Sequence, residues 1–491
     1  MATEHQPPLE HLDIEEVSQK NDENASLQTD AHDVSSGGWF TKLREALLSS
    51  AETHGVAPVP LEERTEKMPL QLFTLWLTAN CTLLPITTGM SGTLVFGLDF
   101  ATASVVIVLS TLIFMFPVAW MARYYFVIVI ALLQLATLTG YTIITSIVSG
   151  QTLTAVSQGD LGLSVGITIT VVGALPISFL GYKYLHHIDQ YLWVPSLVSL
   201  IVVAGISARS LATHTHVVAM SARSVVTFTS ACASLCISWA AMVSDFAVYT
   251  EPSTPRTKIF LYVYAGYSVP SILLLIFGAA AGAAVSANDT WAEAYRLYSV
   301  GGIMYAMASP LGGFGKFISV LLAFSMLGLT ACSLYSLSIS LQSLHPILSR
   351  LPRYLYSVFI VAIVVPIATV ASSNFYDSLA KFLSVVGYWA ASYISIALTE
   401  HYHFRRGQYS MYDTSSWDNP DELPFGLAAL ASLCCSFGLI VPSMDNGWYT
   451  GPIALRTGDL GLELGMALSP LVYIVLRRVE TKWEGLRRSN L

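Results

Sequence analysis

Long apolar stretches separated by short polar loops dominate the chain from residue 70 onward. Each stretch is close to 20 residues long and nearly free of charge, which is the length an α-helix needs to cross the hydrocarbon layer of a membrane. The pattern predicts twelve spans, at 70–95, 101–122, 125–150, 161–181, 190–208, 224–250, 259–285, 311–343, 354–372, 380–400, 424–442 and 460–478. The predicted fold class is therefore an all-α polytopic membrane protein.

The composition agrees with that interpretation. Apolar residues make up 54% of the 491 positions and charged residues only 11%, whereas a soluble domain carries roughly 25% charged residues. Water-soluble domains are thereby excluded as the main part of the chain. The lipid bilayer is the expected surrounding, and nothing in the charge pattern indicates nucleic acid as a partner.

The ends of the chain differ from the apolar middle. Residues 1–60 are predicted to be a disordered acidic tail, because the stretch up to Asp33 has no aromatic residue and no sustained helical period. This tail also lacks the basic start and apolar core of a signal peptide. Residues 61–479 are then expected to form one twelve-helix membrane domain, and residues 480–491 a short C-terminal tail.

Basic residues in the short loops predict the orientation. If the N-terminus is cytosolic, fifteen Lys and Arg residues flank the spans on the inner side and six on the outer side. Cytosolic loops of membrane proteins carry the excess of positive charge, so both termini are expected in the cytosol. The sequence "NDT" then lies in an outer loop, where Asn288 could carry a glycan.

Cysteine and histidine positions give no sign of a metal or cofactor. All six cysteines fall within predicted spans and are interpreted as small apolar residues. The paired histidines, such as His186 with His187, fall in loops. No metal site, cofactor or enzymatic activity is predicted, since no span offers metal ligands or a nucleophile beside a base.

The first span contains helix breakers in its middle. "LTANCTLLPITTGMSGTLVFG" (77–97) has Pro85, Gly89 and Gly92 among threonines and serines. Unsatisfied backbone groups in hydrocarbon cost several kcal/mol, so a broken helix predicts a protein-lined or aqueous cavity. Span 224–250, five spans later, also has a polar middle, and matched discontinuous helices indicate a transporter built from inverted repeats. Close helix packing is the alternative, although it does not explain Pro85.

Several motifs give the chain a family resemblance. "ISWAAMVSDFAVYTEPSTPRTKIFLYVYAGY" (237–267), "GGFGKF" (312–317), "FLSVVGYW" (382–389), "TEHYHFRRG" (399–407) and "WDNPDELPFG" (417–426) occur in order, with "WLTAN" at 76–80. The chain resembles the fungal purine-cytosine permeases, which are nucleobase–cation symporters, from about residue 62 to its C-terminus. The resemblance implies a LeuT-like fold of five-plus-five inverted repeats and two further helices, with proton-coupled uptake of nucleobases at the plasma membrane.

The resemblance also implies a binding pocket. In this family, aromatic rings enclose the base and amide side chains recognise its edge. Trp239 keeps the aromatic residue of the sixth span, and Thr87 stands where the family often has serine. Gly89 and Gly92 would let the backbone approach a ligand closely.

Other pocket positions depart from the family. The third span has Tyr141 and Thr145 where the family has Trp and Asn, and the eighth span has "LTACSLYS" in place of an Asn-rich run, which includes Cys332 and Ser333. An unpaired polar group of the ligand costs roughly 1–3 kcal/mol, so these changes predict weak purine binding. A pyridoxine-type vitamin, a specialised metabolite, or a non-transporting sensor on the same fold are therefore alternatives. The connection "MARYYFV" after the second span is also shorter than in the family.

Two acidic residues near span ends complete the candidates. Asp245 lies in the family-like "SDFAVY", and an intramembrane carboxylate suggests a function such as proton coupling. An anchoring hydrogen-bond acceptor is the alternative for Asp245. Glu400, beside His401 and Arg405, is expected to be a solvated flank.

Overall fold

A computed structural model describes residues 70–121, 128–179, 181–212, 221–247, 250–251, 253–344, 346–349, 351–412 and 426–489. The predicted acidic tail at 1–60 lies outside these residues, and so does most of the shortened connection after the second span. The side chain of Asp245 is also outside the described set, although its backbone belongs to a short helix.

The described chain is almost entirely helical. Its first half contains α1 (Leu70–Asn80), α2 (Leu83–Leu94), α3 (Phe100–Trp120), α4 (Ile128–Val156), α5 (Leu163–Phe179), α6 (Gly181–Leu211), α7 (Ala222–Ile237) and α8 (Val243–Ala247). Its second half contains α9 (Arg256–Val285), α10 (Asp289–Ala308), α11 (Gly313–Leu344), α12 (Pro346–Ser349), α13 (Arg353–Ala371), α14 (Phe375–Thr399), α15 (Leu427–Ser443), α16 (Ala454–Thr457) and α17 (Gly461–Ser489).

Short elements join some of these helices. A two-stranded antiparallel hairpin, β1 (Asp445–Asn446) and β2 (Tyr449–Thr450), pairs Asp445 with Thr450 between α15 and α16. A π-turn, Glu400–Phe404, extends α14. The last helix, α17, continues through the predicted C-terminal tail to Ser489.

Length and apolar character identify the membrane-crossing helices. Within the described ranges, six helical stretches are long and apolar enough to span a bilayer, and the α1–α2 pair qualifies as one bent span. Three shorter apolar helices are α5, α7 and α15. The structure thus confirms a helical membrane protein, while the number twelve stays a prediction.

The break in the first span lies earlier than its helix breakers suggest. Helices α1 and α2 meet at an angle of 51°, and the two residues between them are Cys81 and Thr82. Pro85 is the third residue of α2, within the first turn, where a backbone N–H has no partner inside the helix and its loss is harmless. The predicted break at 85–92 is therefore wrong.

Glycines in α2 and α9 allow these two helices to touch backbone to backbone. A Cβ on Gly89 would lie 1.9 Å from the carbonyl oxygen of Leu275, and a Cβ on Gly278 would lie 2.0 Å from that of Ile86. Small residues at such positions let membrane helices approach closely. The glycines of the first span are thus used, at least in part, for helix packing.

The sixth span is also discontinuous. Helix α7 ends at Ile237, residues 238–242 form a turn, and α8 begins at Val243. The amide of Trp239 donates to the carbonyl of Cys236 at 3.4 Å, and the amide of Val243 donates to Trp239 O at 2.9 Å. The predicted discontinuity in this span is present, and Trp239 lies in it.

A long helix, α10, was not predicted. Helix α10 lies in the segment between spans seven and eight, and it packs on α4: a Cβ on Gly301 would lie 2.2 Å from the amide nitrogen of Thr152. A kink at Ser299, with φ 54°, divides this helix. The hydropathy pattern missed this helix because its first half contains the charged residues Asp289, Glu293 and Arg296, which are typical of a loop.

Candidate functional site

Four aromatic rings meet where α7 breaks. Tyr141 of α4 stacks on Trp239, with ring centroids 5.3 Å apart and planes 26° apart. Trp76 of α1 contacts Trp239 edge-on at 5.5 Å, and Phe382 of α14 contacts Tyr141 edge-on at 5.0 Å. We call these four residues the aromatic stack.

Small and polar neighbours fix the position of the aromatic stack. A Cβ on Gly140 would lie 2.1 Å from the ring of Phe382, so glycine at this position makes room for that ring. The Tyr141 hydroxyl lies 2.5 Å from Ser238 Oγ. Because Ser238 Oγ donates to the carbonyl of Leu235 at 3.0 Å, the tyrosine is the donor to Ser238.

Three buried polar atoms around the breaks have no hydrogen-bond partner in the described structure. They are Trp76 Nε1, Trp239 Nε1 and Thr82 Oγ1. A buried polar group without a partner costs about 1–3 kcal/mol. Two indole N–H donors therefore remain available for the polar edge of a ligand or for water.

The other predicted pocket residues lie on α4 and α11. Thr145 Oγ1 is 3.0 Å from Thr330 Oγ1 and also donates to the carbonyl of Tyr141 at 2.9 Å. Ser333 Oγ donates to the carbonyl of Leu329 at 2.9 Å, and Cys332 is buried. The Thr145–Thr330 contact joins α4 to α11 one turn beyond Tyr141.

The other residues predicted from the sequence, Thr87, Gly89, Gly92 and Asn288, make contacts away from the aromatic stack. Thr87 Oγ1 donates to the carbonyl of Leu83 inside α2 at 2.8 Å. Gly89 packs on α9, and a Cβ on Gly92 would lie 2.6 Å from the ring of Phe228. Asn288 accepts from the amides of Thr290 and Trp291 as the N-cap of α10.

The aromatic stack can hold a flat ligand only after it opens. Two aromatic rings on either side of a planar heterocycle need a separation of about 7 Å, since carbon atoms in contact are about 3.5 Å apart. The centroids of Tyr141 and Trp239 are 5.3 Å apart. Binding between them would require α4 and the break after α7 to move apart.

Acidic residues at the helix ends are less exposed than the sequence suggests. Glu400 is 6% exposed and forms ion pairs with Arg405 at 3.0 Å and Arg477 at 3.6 Å. Tyr473 also donates to Glu400 Oε2 at 2.9 Å. The expectation of a solvated flank is wrong, because α17 and the turn after α14 fold over this carboxylate.

Sequence reasoning missed two further carboxylates. Asp459, in the loop before α17, is fully buried, and burial raises its pKa to about 6. Glu463 follows four residues later in the first turn of α17. The signal that could have found them is "GDLGLELG", two acids one helical turn apart at the start of an otherwise apolar span.

The described residues contain no group of three or more His, Cys, Asp or Glu side chains that could hold a metal ion. The groups that the aromatic stack and its neighbours offer to a ligand are aromatic faces, hydroxyl groups and two indole N–H donors.

Comparisons with known proteins identify the family of this chain. Residues 58–445 match the family described as permease for cytosine/purines, uracil, thiamine, allantoin. The chain is 30% identical over 477 residues to the purine-cytosine permease FCY2 of Saccharomyces cerevisiae, which covers 91% of this chain and 89% of that protein. It is 24% identical over 533 residues to the vitamin B6 transporter TPN1 of the same yeast, which covers 92% and 91%.

A solved structure shows the same fold. Mhp1, a nucleobase-cation-symport-1 family transporter in a closed conformation with bromovinylhydantoin bound, superposes with a TM-score of 0.64 at 15% identity. The match covers 87% of this chain and 95% of Mhp1.

Proposed function

The chain belongs to the family of permeases for cytosine, purines, uracil, thiamine and allantoin, and on this premise we propose that it carries a small planar heterocycle into the cell together with protons. Purines and cytosine are the first candidates. The protein lies in the plasma membrane, both termini face the cytosol, and spans one to five and six to ten form inverted repeats.

The pairing of Tyr141 with Trp239 supports this proposal most directly. A flat base stacks favourably on aromatic faces, for about 1–3 kcal/mol per ring. Tyr141 and Trp239 present two such faces, from α4 and from the break after α7. The nearby indole N–H groups without partners could donate to a ring nitrogen or carbonyl oxygen.

A pyridoxine-type vitamin is the second candidate. The pocket positions Tyr141, Thr145 and Ser333 carry hydroxyl groups where purine-cytosine permeases have larger or amide side chains. Hydroxyl groups suit a ligand with hydroxyl and methyl substituents better than one with a Watson–Crick-like edge. The similarity to a vitamin B6 transporter along nearly the whole chain favours the same ligand class.

A competition panel tests the proposal. Cells that lack their own nucleobase and vitamin B6 permeases would express the chain and take up labelled adenine, cytosine or pyridoxine against unlabelled competitors. We expect saturable uptake of at least one compound that falls in Trp239→Ala, while the exposed Trp448→Ala serves as the control. Surface expression without uptake of any panel member would contradict the proposal and favour a non-transporting sensor.

A further inference from the structure

A carboxyl site lies apart from the aromatic stack, on the predicted outer side. Asp459 Oδ2 accepts from the hydroxyl of Tyr388 at 2.7 Å, and Asp459 Oδ1 accepts from the amide of Gly461 at 3.0 Å. Ser230 Oγ of α7 donates to the backbone carbonyl oxygen of Asp459 at 2.8 Å and lies 3.0 Å from both Glu463 Oε1 and Oε2. One serine of the discontinuous helix thus touches both acidic residues.

No described cation forms an ion pair with either carboxyl group. Two basic residues on the neighbouring helices form ion pairs elsewhere: Arg223 of α7 with Asp445 at 2.6 Å, and Lys381 of α14 with Asp377 at 2.5 Å. A third, Arg456 of α16, is exposed. Asp445 adds negative charge near Asp459. A buried carboxylate without a cation favours its protonated form, so this site can bind a proton.

Two other buried oxygens near the site have no described partner. The first is Ser443 Oγ. Ser443 is close to the site because its backbone carbonyl accepts from the amide of Leu460, the residue after Asp459, at 3.1 Å. Asn446 Oδ1 belongs to the hairpin strand that also contains Asp445. Buried polar oxygens of this kind are commonly satisfied by ordered water, and water is the medium that delivers protons.

A row of serines leads from the carboxyl site to the aromatic stack. Ser230, Ser234 and Ser238 are spaced four residues apart, so they lie on one face of α7 and its end. Ser234 Oγ donates to the carbonyl of Ser230 at 2.7 Å, and Ser238 contacts Tyr141. At 1.5 Å per residue the row is about 12 Å long.

The same face of α7 packs tightly on α14. A Cβ on Gly387 would lie 2.0 Å from Ser234 Oγ, and the next residue of α14, Tyr388, makes the hydrogen bond to Asp459. A change in the charge of Asp459 therefore acts on the contact between α7 and α14. The aromatic stack depends on the same two helices, because Phe382 belongs to α14 and the Tyr141 hydroxyl contacts Ser238 at the end of α7.

We propose that Asp459, assisted by Glu463, is the proton-binding site of coupled transport, and that the serine face of α7 links it to the substrate. This inference rests on the proposed function. A proton from outer water adds to an Asp459 carboxylate oxygen, which weakens that oxygen as an acceptor for Tyr388 and loosens the α7–α14 contact. The same proton leaves to the cytosol after the substrate is released, so the carboxylate is restored.

Uptake at two outer pH values tests the coupling. In the wild type we expect uptake to rise at least about fivefold between pH 7.5 and pH 5.5, because burial raises the pKa of Asp459 to about 6. Asp459→Asn should make uptake equal at the two pH values, because it removes the group that binds the proton. The matched controls are Asp289→Asn and Glu293→Gln, which change exposed acidic residues and should keep the wild-type pH dependence. A wild-type pH dependence of uptake in Asp459→Asn overturns the inference.

A second measurement does not depend on transport. Infrared spectra of the purified protein in lipid vesicles should show a protonated carboxyl band that titrates near pH 6 and is missing in Asp459→Asn. Tyr388→Phe removes a hydrogen bond to the carboxylate and should move this midpoint upward. If no panel compound is transported but the band titrates as described, the proposed function fails and the proton site stands. If Asp459→Asn does not fold, an unmoved midpoint in Tyr388→Phe overturns the site.

Discussion

The phenol oxygen of Tyr141 lies 2.5 Å from Ser238 Oγ, although 97 residues separate them in the chain. Ser238 is the first residue after α7, and Trp239 follows it. The contact therefore connects the middle of α4 to the break in the sixth span and sets one aromatic face against the other. Any ligand held between these faces acts on both helices at once.

Loss of the Trp239 ring should weaken binding much more than loss of the Tyr141 hydroxyl. Trp239→Ala removes a stacking face worth about 1–3 kcal/mol, so we expect KM for the transported compound to rise about 5- to 150-fold. Tyr141→Phe keeps the ring and loses a hydrogen bond worth about 0.5–1.5 kcal/mol, so the rise should be smaller. Uptake kinetics measure both, and an unchanged KM in Trp239→Ala would exclude this residue from the site.

Gly89→Ala should reduce the amount of folded protein. The added Cβ would lie 1.9 Å from a backbone oxygen of α9, and a backbone atom cannot move aside as a side chain can. Overpacking of this kind costs about 1–3 kcal/mol or more. The matched control is Gly438→Ala in α15, where nothing lies within 4 Å of the added Cβ.

The thermal midpoint of the solubilised protein checks this prediction. Gly89→Ala should melt several degrees below wild type, and Gly438→Ala should melt at or near the wild-type temperature. Equal midpoints for Gly89→Ala and wild type would show that α2 and α9 are not packed as described.

Restoring family-like side chains should move the specificity toward purines. The combined changes Tyr141→Trp, Thr145→Asn and Ser333→Asn supply a larger ring and two amides that can donate and accept. We expect adenine to compete more strongly in the variant than in wild type, by about tenfold for each good hydrogen bond of roughly 1.4 kcal/mol. Tight, saturable adenine uptake by the unchanged protein would refute the idea that these positions exclude purines.

The orientation can be tested without disturbing the cap of α10. Asn288 accepts two backbone hydrogen bonds, so Thr290→Ala is the better change: it removes the glycosylation signal and keeps Asn288. Glycosidase treatment should shift the gel mobility of wild type and leave Thr290→Ala unshifted, with Asn24→Gln behaving as wild type. Antibody access to either terminus in intact cells would reverse the predicted topology.

Stability should fall as the pH rises through about 6. The pKa of Asp459 is raised from 3.8 to about 6 by burial, so the folded protein binds this proton more tightly than the unfolded chain. The associated stabilisation is complete below pH 3.8 and is lost as the pH rises through 6. Asp459→Asn should therefore melt a few degrees above wild type at pH 7.5 and by a smaller margin at pH 5, and parallel curves for the two proteins would contradict the buried carboxylate.

The hydrophobic pattern by itself determined that this is a helical membrane protein, because burial in lipid demands apolar helices of a fixed length. Family-like motifs pointed to Trp239 and Tyr141, and the structure stacks these two rings on each other. Helix breakers, however, gave the wrong position for the first break. Glycine lacks a Cβ and proline lacks a backbone N–H. In α2 the first property allows close contact with α9, and the second is tolerated because Pro85 lies in the first helical turn.

Tertiary structure alone decided the environment of the charged residues. Glu400 looks like a solvated span end in the sequence, yet Arg405, Tyr473 and Arg477 enclose it. Asp459 and Glu463 look like two acids near a helix start, yet Tyr388 and Ser230 come from distant spans to meet them. Burial and hydrogen-bond partners are properties of how helices pack, and residues 71 and 229 positions apart along the chain become neighbours only after packing is complete.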